Sequence, residues 1–167
     1  GPPWIRETLS TLPRVLPAGV PPLGFCGAPW TLAVYAIEGK MTKDLVHAKT
    51  MRWKDPATLA ALIDLLAQST VPYLAAQARA GAQALQVFDT WAGALTREDW
   101  ETLALPGLRS VFSGVRRELG AGCPPLVLYS QGTSQWRDIL TKCGADAYSV
   151  DWRVPLGEWK RALGGAP

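Results

Sequence analysis

Gly24-Phe25-Cys26-Gly27-Ala28-Pro29-Trp30-Thr31-Leu32 passes from a short apolar run directly into a helix start. With Pro21-Pro22-Leu23 ahead of it, the first half reads as a buried strand bounded by turn residues. The second half opens on Pro29, whose fixed φ and missing N–H suit the first helical position. The spacing predicts a helix from Trp30 to Glu38 that stops at Gly39. A strand that feeds straight into an amphipathic helix is a βα unit, so the fold turns on how many such units follow.

Upstream, Ile5 to Leu12 reads as an amphipathic helix that carries Arg6. Downstream, Thr42 is a candidate N-cap, with Asp44 near the positive helix end, for a helix ending at Trp53. Asp55-Pro56 is an N-cap and N1 pair, followed by Leu59, Leu62, Ile63 and Leu66 at helical spacing. Pro72 is expected to kink or interrupt this helix, because an interior proline removes a backbone bond and clashes with the preceding turn. The pattern then resumes through Ala80 and ends at Gly81. Ala84 to Thr90 is a second strand. Thr96 and Asp99 open another helix as a capping-box-like pair, and Pro106 starts its successor. Pro125 to Tyr129 is a third strand, Trp136 to Leu140 a helix, Ala147 to Asp151 a fourth strand, and a last helix begins near Pro155.

Short strands alternating with helices mean a parallel sheet covered by helices, since each crossover packs back onto the sheet. No G-x-G-x-x-G follows any strand, which disfavours a dinucleotide-binding fold and favours a (β/α)8 TIM barrel. A full barrel takes about 250 residues. The 167 residues with four strands therefore read as one partial α/β barrel domain, 1–167, apparently truncated at both ends, with Gly1 rather than Met at its start.

Composition narrows the function classes. A hydrophobic fraction of 48% supports a real core, and 19% charged residues with a net charge of +3 demand no nucleic acid, since no basic run exceeds a short pair such as Arg116-Arg117. Leu59 to Ala76 is interrupted by Asp64, Gln68 and Pro72, which argues against a membrane span. Cys26, Cys123 and Cys143 are odd in number and widely spaced, as in a reducing, cytoplasmic setting, and read as small apolar fillers.

In barrels the reacting groups lie at the C-terminal strand ends, here Phe25 to Tyr35, Phe88 to Gly93, Tyr129 to Thr133 and Val150 to Arg153. The first patch, Gly24 to Leu32, resembles the GFxGAPWTL signature of uroporphyrinogen decarboxylases, and Tyr35 with Glu38-Gly39 continues it. Ala80-Gly81-Ala82-Gln83-Ala84-Leu85-Gln86-Val87-Phe88-Asp89-Thr90-Trp91 is similar to that family's second signature, and Val150-Asp151-Trp152 to its Asp-Trp strand end. The resemblance implies removal of the acetate carboxyl groups of uroporphyrinogen to give coproporphyrinogen, with no cofactor and no metal. A protonated pyrrole within the substrate serves as the electron sink. It also implies that Tyr35 and Thr90 contact the substrate, that Phe25 and Phe88 form apolar walls, and that the full-length enzyme is a homodimer. The family's gripping arginines, central aspartate and histidine lie in segments that this sequence does not match, and Arg6, in a helical context, does not replace them. The catalytic residues are thus unassigned, and negligible turnover is expected from these residues alone.

Beside each of these readings stands a plainer one. Tyr35, Thr90, Phe25 and Phe88 also suit barrel packing. Phe88 and Thr90 share one strand face, which turns Asp89 toward the helix layer and away from a catalytic role. His47, the single histidine, lacks partners at metal-ligand spacing. Asp151 suits capping of the following turn as well as a site, and its role and that of Trp152 stay open. Trp53, Trp100, Trp136 and Trp159 are expected to seal helices on the sheet, leaving Trp30 and Trp91 near the site. Two other functions compete: a relative of cobamide-dependent methyltransferases, which hold zinc through a His-x-Cys pair and a later cysteine, and a half-barrel that binds tetrapyrrole without turning it over. An open parallel sheet leaves two unpaired edges, so the chain is expected to dimerise or aggregate.

Overall fold

A computed structural model of the protein describes residues 3–40 and 44–163. Helix α1 (Pro3–Val15) precedes β1 (Leu23–Gly27), which runs into α2 (Pro29–Glu38) with the proline in its first turn and a left-handed Gly39 closing it. Next come α3 (Val46–Lys54), α4 (Pro56–Arg79) and β2 (Ala84–Asp89). A helical run follows as α5 (Arg97–Asp99), a π-helical turn (Trp100–Ala104) and α6 (Leu105–Leu119). Then β3 (Leu126–Ser130), α7 (Arg137–Leu140), β4 (Ala147–Ser149) and α8 (Leu156–Ala162) complete the described chain.

The four strands form one parallel sheet in the order β1-β2-β3-β4, as consecutive βα units of an incomplete (β/α)8 arrangement require. Burial alternates along each strand. Leu85, Val87, Leu126 and Leu128 face the helices and are buried, among Trp30, Trp100, Leu108 and Phe112. Helices α4 and α6 pack on each other and α2 packs on α4, so this layer covers one sheet face. Parallel sheets are ordinarily covered on both faces. Here the other face carries the half-buried to exposed residues Phe25, Gln86, Phe88, Val127 and Tyr129.

Several expectations need correction. Helix α3 begins at Val46, after fully buried Leu45 adopts a positive φ of 49° that breaks the helical run; the expected cap Thr42 lies outside the described residues. Pro72 does not interrupt α4, which continues unbroken for 24 residues. Packing against β1, α2 and α6 outweighs the cost of about 3 kcal/mol for one interior proline. Although α4 is long and apolar enough to cross a membrane by length and composition, it lies within this layer. Pro106 does fall in the first turn of a successor helix, α6, but a π turn joins that helix to α5 without a break. Strand β4 ends at Ser149, so Val150 and Asp151 lie beyond it. Trp53 seals nothing: it is 77% exposed, with the Arg52 guanidinium 5.5 Å from its ring centre. The other expected caps hold. Asp55 accepts from the Thr58 N–H and Thr96 from the Asp99 N–H, each at 3.1 Å.

The edge at β1 is also less open than the topology alone implies. Ala28 N–H donates to Phe88 and Pro22 C=O accepts from Gln83, so even-numbered residues of β1 turn their backbone toward β2 and Phe25 turns its backbone outward. The buried Gln77 side chain of α4 takes both groups: Phe25 N–H donates to Oε1 and Nε2 donates to Phe25 C=O, each at 2.9 Å.

Candidate functional site

Strand parity puts one aromatic residue from each of three neighbouring strands on the face away from the α2, α4 and α6 layer. The register sets Gly27 beside Phe88 and Phe88 beside Tyr129. The Phe25 and Phe88 rings meet edge to face with centres 5.8 Å apart, and Phe88 and Tyr129 meet at 5.7 Å. Phe25 is 59% exposed although it is a large apolar residue in a strand. The result is a continuous aromatic floor, open on one side, suited to a large apolar ring system.

The floor leads to the C-terminal strand ends. Thr90 follows β2 on the same side as Phe88, half-buried, and its hydroxyl has no hydrogen-bond partner among the described residues. Tyr35, on the second turn of α2, makes no ring contact with Phe25 or Phe88 and no hydrogen bond to Thr90 among the described residues. Its ring packs edge-on against Trp91, with centres 6.4 Å apart. Sequence reasoning thus grouped four residues of which the structure joins two directly and brings Tyr35 in through Trp91. It missed Tyr129 as a member of the floor, because only the strand register places it beside Phe88. The Trp91 indole N–H is buried without a hydrogen-bond partner among the described residues.

Asp89 points away from the floor, as the parity predicts, and is fully buried. It accepts 2.9 Å hydrogen bonds from the Thr31 hydroxyl and the Trp100 indole N–H. Burial pushes its carboxyl up to about 6, against the lowering effect of the Trp100 and Thr31 hydrogen bonds. Thr31 Oγ1 in turn accepts from the Trp91 N–H at 3.2 Å, and the Trp30 indole donates to Trp91 C=O at 3.1 Å. Asp89 therefore holds the loop after β2 against the start of α2 and touches no open surface. Cys26 is likewise buried, its thiol pushed up to about 12 by desolvation, so it stays neutral and unreactive.

The ends of the strands are stitched into one rim. Gln131 N–H donates to Asp89 C=O, and Gly93 lies so close to Gln131 and Gly132 that a Cβ there would stand 2.9 Å from the Gln131 oxygen. Asp151 accepts from Gly132 N–H at 2.6 Å, from the Ser134 hydroxyl at 2.9 Å and from Arg153 N–H at 3.1 Å. Burial opposes its ionisation, but these hydrogen bonds, with the Arg153 guanidinium, outweigh it and hold the carboxyl below its usual range. Its structural role, which sequence left open, is to tie the end of β4 to the loop after β3. Among the described residues no three His, Cys, Asp or Glu side chains gather as metal ligands, and His47 is exposed.

Two open grooves flank the sheet. One of about 500 Å³ beside β1 is lined by Phe25, Cys26, Leu32, Thr70 and Tyr73. The other, about 600 Å³ beside β4, is lined by Tyr148, Leu156, Trp159 and Leu163. Neither contains Phe88 or Thr90; both lie where further βα units of a barrel would pack.

The family model described as uroporphyrinogen decarboxylase (URO-D) matches residues 2–166. Relatives include the uroporphyrinogen decarboxylases of Edwardsiella ictaluri, 39% identical over 97% of this chain and 46% of that protein, and of Pseudomonas fluorescens SBW25, 40% identical over 97% and 46%. The chain spans about half the length of the curated relatives it matches. Among solved structures it is similar to a methyltransferase from Methanosarcina mazei, with a TM-score of 0.78 and 20% identity over 98% of this chain and 46% of that one. At that identity the likeness speaks for the fold alone.

Proposed function

The chain belongs to the uroporphyrinogen decarboxylase family, and from that membership we propose that it forms the central floor of a cofactor-independent carboxy-lyase acting on uroporphyrinogen. The reaction removes the four acetate carboxyl groups and yields coproporphyrinogen for haem and related tetrapyrrole synthesis. The observation that carries this reading is the aromatic ladder Phe25–Phe88–Tyr129, open on one side and ending at the Thr90 hydroxyl, which has no hydrogen-bond partner among the described residues. A flexible macrocycle with an apolar body and acidic rim needs that combination of wall and neutral hydrogen-bonding group.

On this reading Phe25 and Phe88 pack against the macrocycle, Thr90 bonds a carboxylate, and Tyr35, steadied by Trp91, contacts the ligand from α2. Decarboxylation leaves an electron pair that a protonated pyrrole of the substrate accepts, so the protein's task is position and charge. The resemblance assigns charge matching to arginines, an aspartate and a histidine in segments that the 167 residues do not match. Each such group lost typically costs on the order of 10²–10³ in rate, so the chain by itself binds substrate and turns over negligibly. The partial barrel domain, a cytoplasmic setting compatible with three free cysteines, and homodimerisation of the complete enzyme belong to the same proposal.

Titration of the chain with uroporphyrinogen under anaerobic conditions tests it. Saturable one-to-one binding that Phe88→Ala weakens supports the reading, and absence of binding sinks it.

A further inference from the structure

The loops that follow the four strands are nearly free of charge. From Ala28 to Thr31, Thr90 to Thr96, Gln131 to Trp136 and Val150 to Val154, the charged residues are Asp151 and Arg153 alone. Asp151 is buried and fixed by the Gly132 N–H and the Ser134 hydroxyl. Arg153 is held by this anchor through its backbone N–H and Nη1, and its guanidinium lies over the Trp152 ring at 5.1 Å from the centre. Trp152 is itself 87% exposed and the Arg153 side chain 42% exposed, so the guanidinium beside that ring is open to solvent. Nε and Nη2 of Arg153 donate to no described residue.

We propose that Arg153 is a carboxylate-binding residue on the rim of the cleft, taking one peripheral acid group of a polycarboxylate macrocycle that lies on the Phe25–Phe88–Tyr129 floor. This rests on the function proposed above. A guanidinium offers paired donors that match a carboxylate in one plane, and one oriented beforehand loses less freedom on binding. Its place follows from the register. Tyr129, the last ring of the floor, pairs with Ser149, and the chain turns at Asp151 just beyond. Because Asp151 already neutralises part of the charge, the contact contributes moderate affinity. It reads an acid group by shape, whereas Thr90 offers one neutral donor.

The test compares the parent chain with Arg153→Gln and Arg153→Lys by anaerobic calorimetric titration with uroporphyrinogen at two salt concentrations, with the thermal midpoint of each protein recorded. Arg153→Gln is expected to bind roughly tenfold more weakly and with a shallower salt dependence. Arg153→Lys, which keeps the charge and loses the fork, should fall between, and the exposed position should leave the thermal midpoints close together. Binding by Arg153→Gln as tight as the parent's overturns the assignment. So does weaker binding with an unchanged salt dependence, since Arg153 would then act only through the Asp151 turn. A parent chain that binds no uroporphyrinogen defeats the function proposed above, and this inference with it.

Discussion

The Asp89 carboxylate at the end of β2 accepts a 2.9 Å hydrogen bond from the Thr31 hydroxyl in the first turn of α2, 58 residues earlier in the chain. Both residues are buried, and Thr31 passes the link on to the Trp91 N–H. Two family signatures thus meet at one polar contact behind the floor. It fixes how the loop bearing Thr90 and Trp91 leaves the sheet, and the stability of that loop becomes sensitive to a single proton.

With its carboxyl raised from 3.8 to about 6, Asp89 binds its proton more tightly in the folded state than in the unfolded one. Its contribution to stability is therefore fully present below about pH 4 and is lost as pH rises through about 6, a change of roughly 2–4 kcal/mol. Carboxyls held low, Asp146 and Asp151 among them, act in the opposite sense. Urea unfolding of the parent and Asp89→Asn at pH 4 to 7 separates the two, since both proteins share those other groups. The parent's stability relative to the variant should decline over that range, and a constant difference would contradict it.

Thr31→Val keeps the shape and removes the hydroxyl, leaving the Asp89 Oδ1 and the Trp91 N–H without their partner. A loss of about 1–3 kcal/mol is expected, together with faster hydrogen exchange at the Trp91 amide than at strand amides. Unchanged exchange there would show that the link does not hold the loop.

At Gly93 a Cβ would meet the Gln131 carbonyl oxygen at 2.9 Å and the Gly132 Cα at 3.1 Å, both backbone atoms. Gly93→Ala must push apart the loops after β2 and β3, at a cost of about 1–3 kcal/mol. Gly122, with nothing within 4 Å of its Cβ position, is the control: Gly122→Ala should stay within about 0.5 kcal/mol.

The tryptophans divide by burial. Trp100 is fully buried and donates to Asp89 at 2.9 Å, whereas Trp53 stands in solvent. Chemical denaturation of Trp100→Ala should show a loss of about 3–5 kcal/mol, and Trp53→Ala a change within about 0.5 kcal/mol. Similar losses for the two would mean that Trp53 packs somewhere.

Gln77 covers the outward backbone groups of Phe25, so Gln77→Ala uncovers a strand edge that can pair with another chain. Sedimentation should show a higher mean mass for the variant than for the parent at equal concentration. Equal masses would mean that copies do not meet at β1.

What the sequence determined by itself was everything that local chemistry writes: the strands, the caps at Asp55, Thr96 and Gly39, the two family signatures, and the strand parity that sends Phe88 and Asp89 to opposite faces. These follow from side-chain period and turn residues within a few positions, so a single stretch carries them. Only the tertiary structure decided that Tyr129 joins the floor, that Tyr35 reaches the site through Trp91, that Gln77 closes part of the β1 edge, and that α4 runs through Pro72. Each of these depends on which strand or helix lies alongside. Register and packing are settled by the sum of many weak contacts between distant segments, and that sum overrides a local preference worth one proline or one exposed tryptophan.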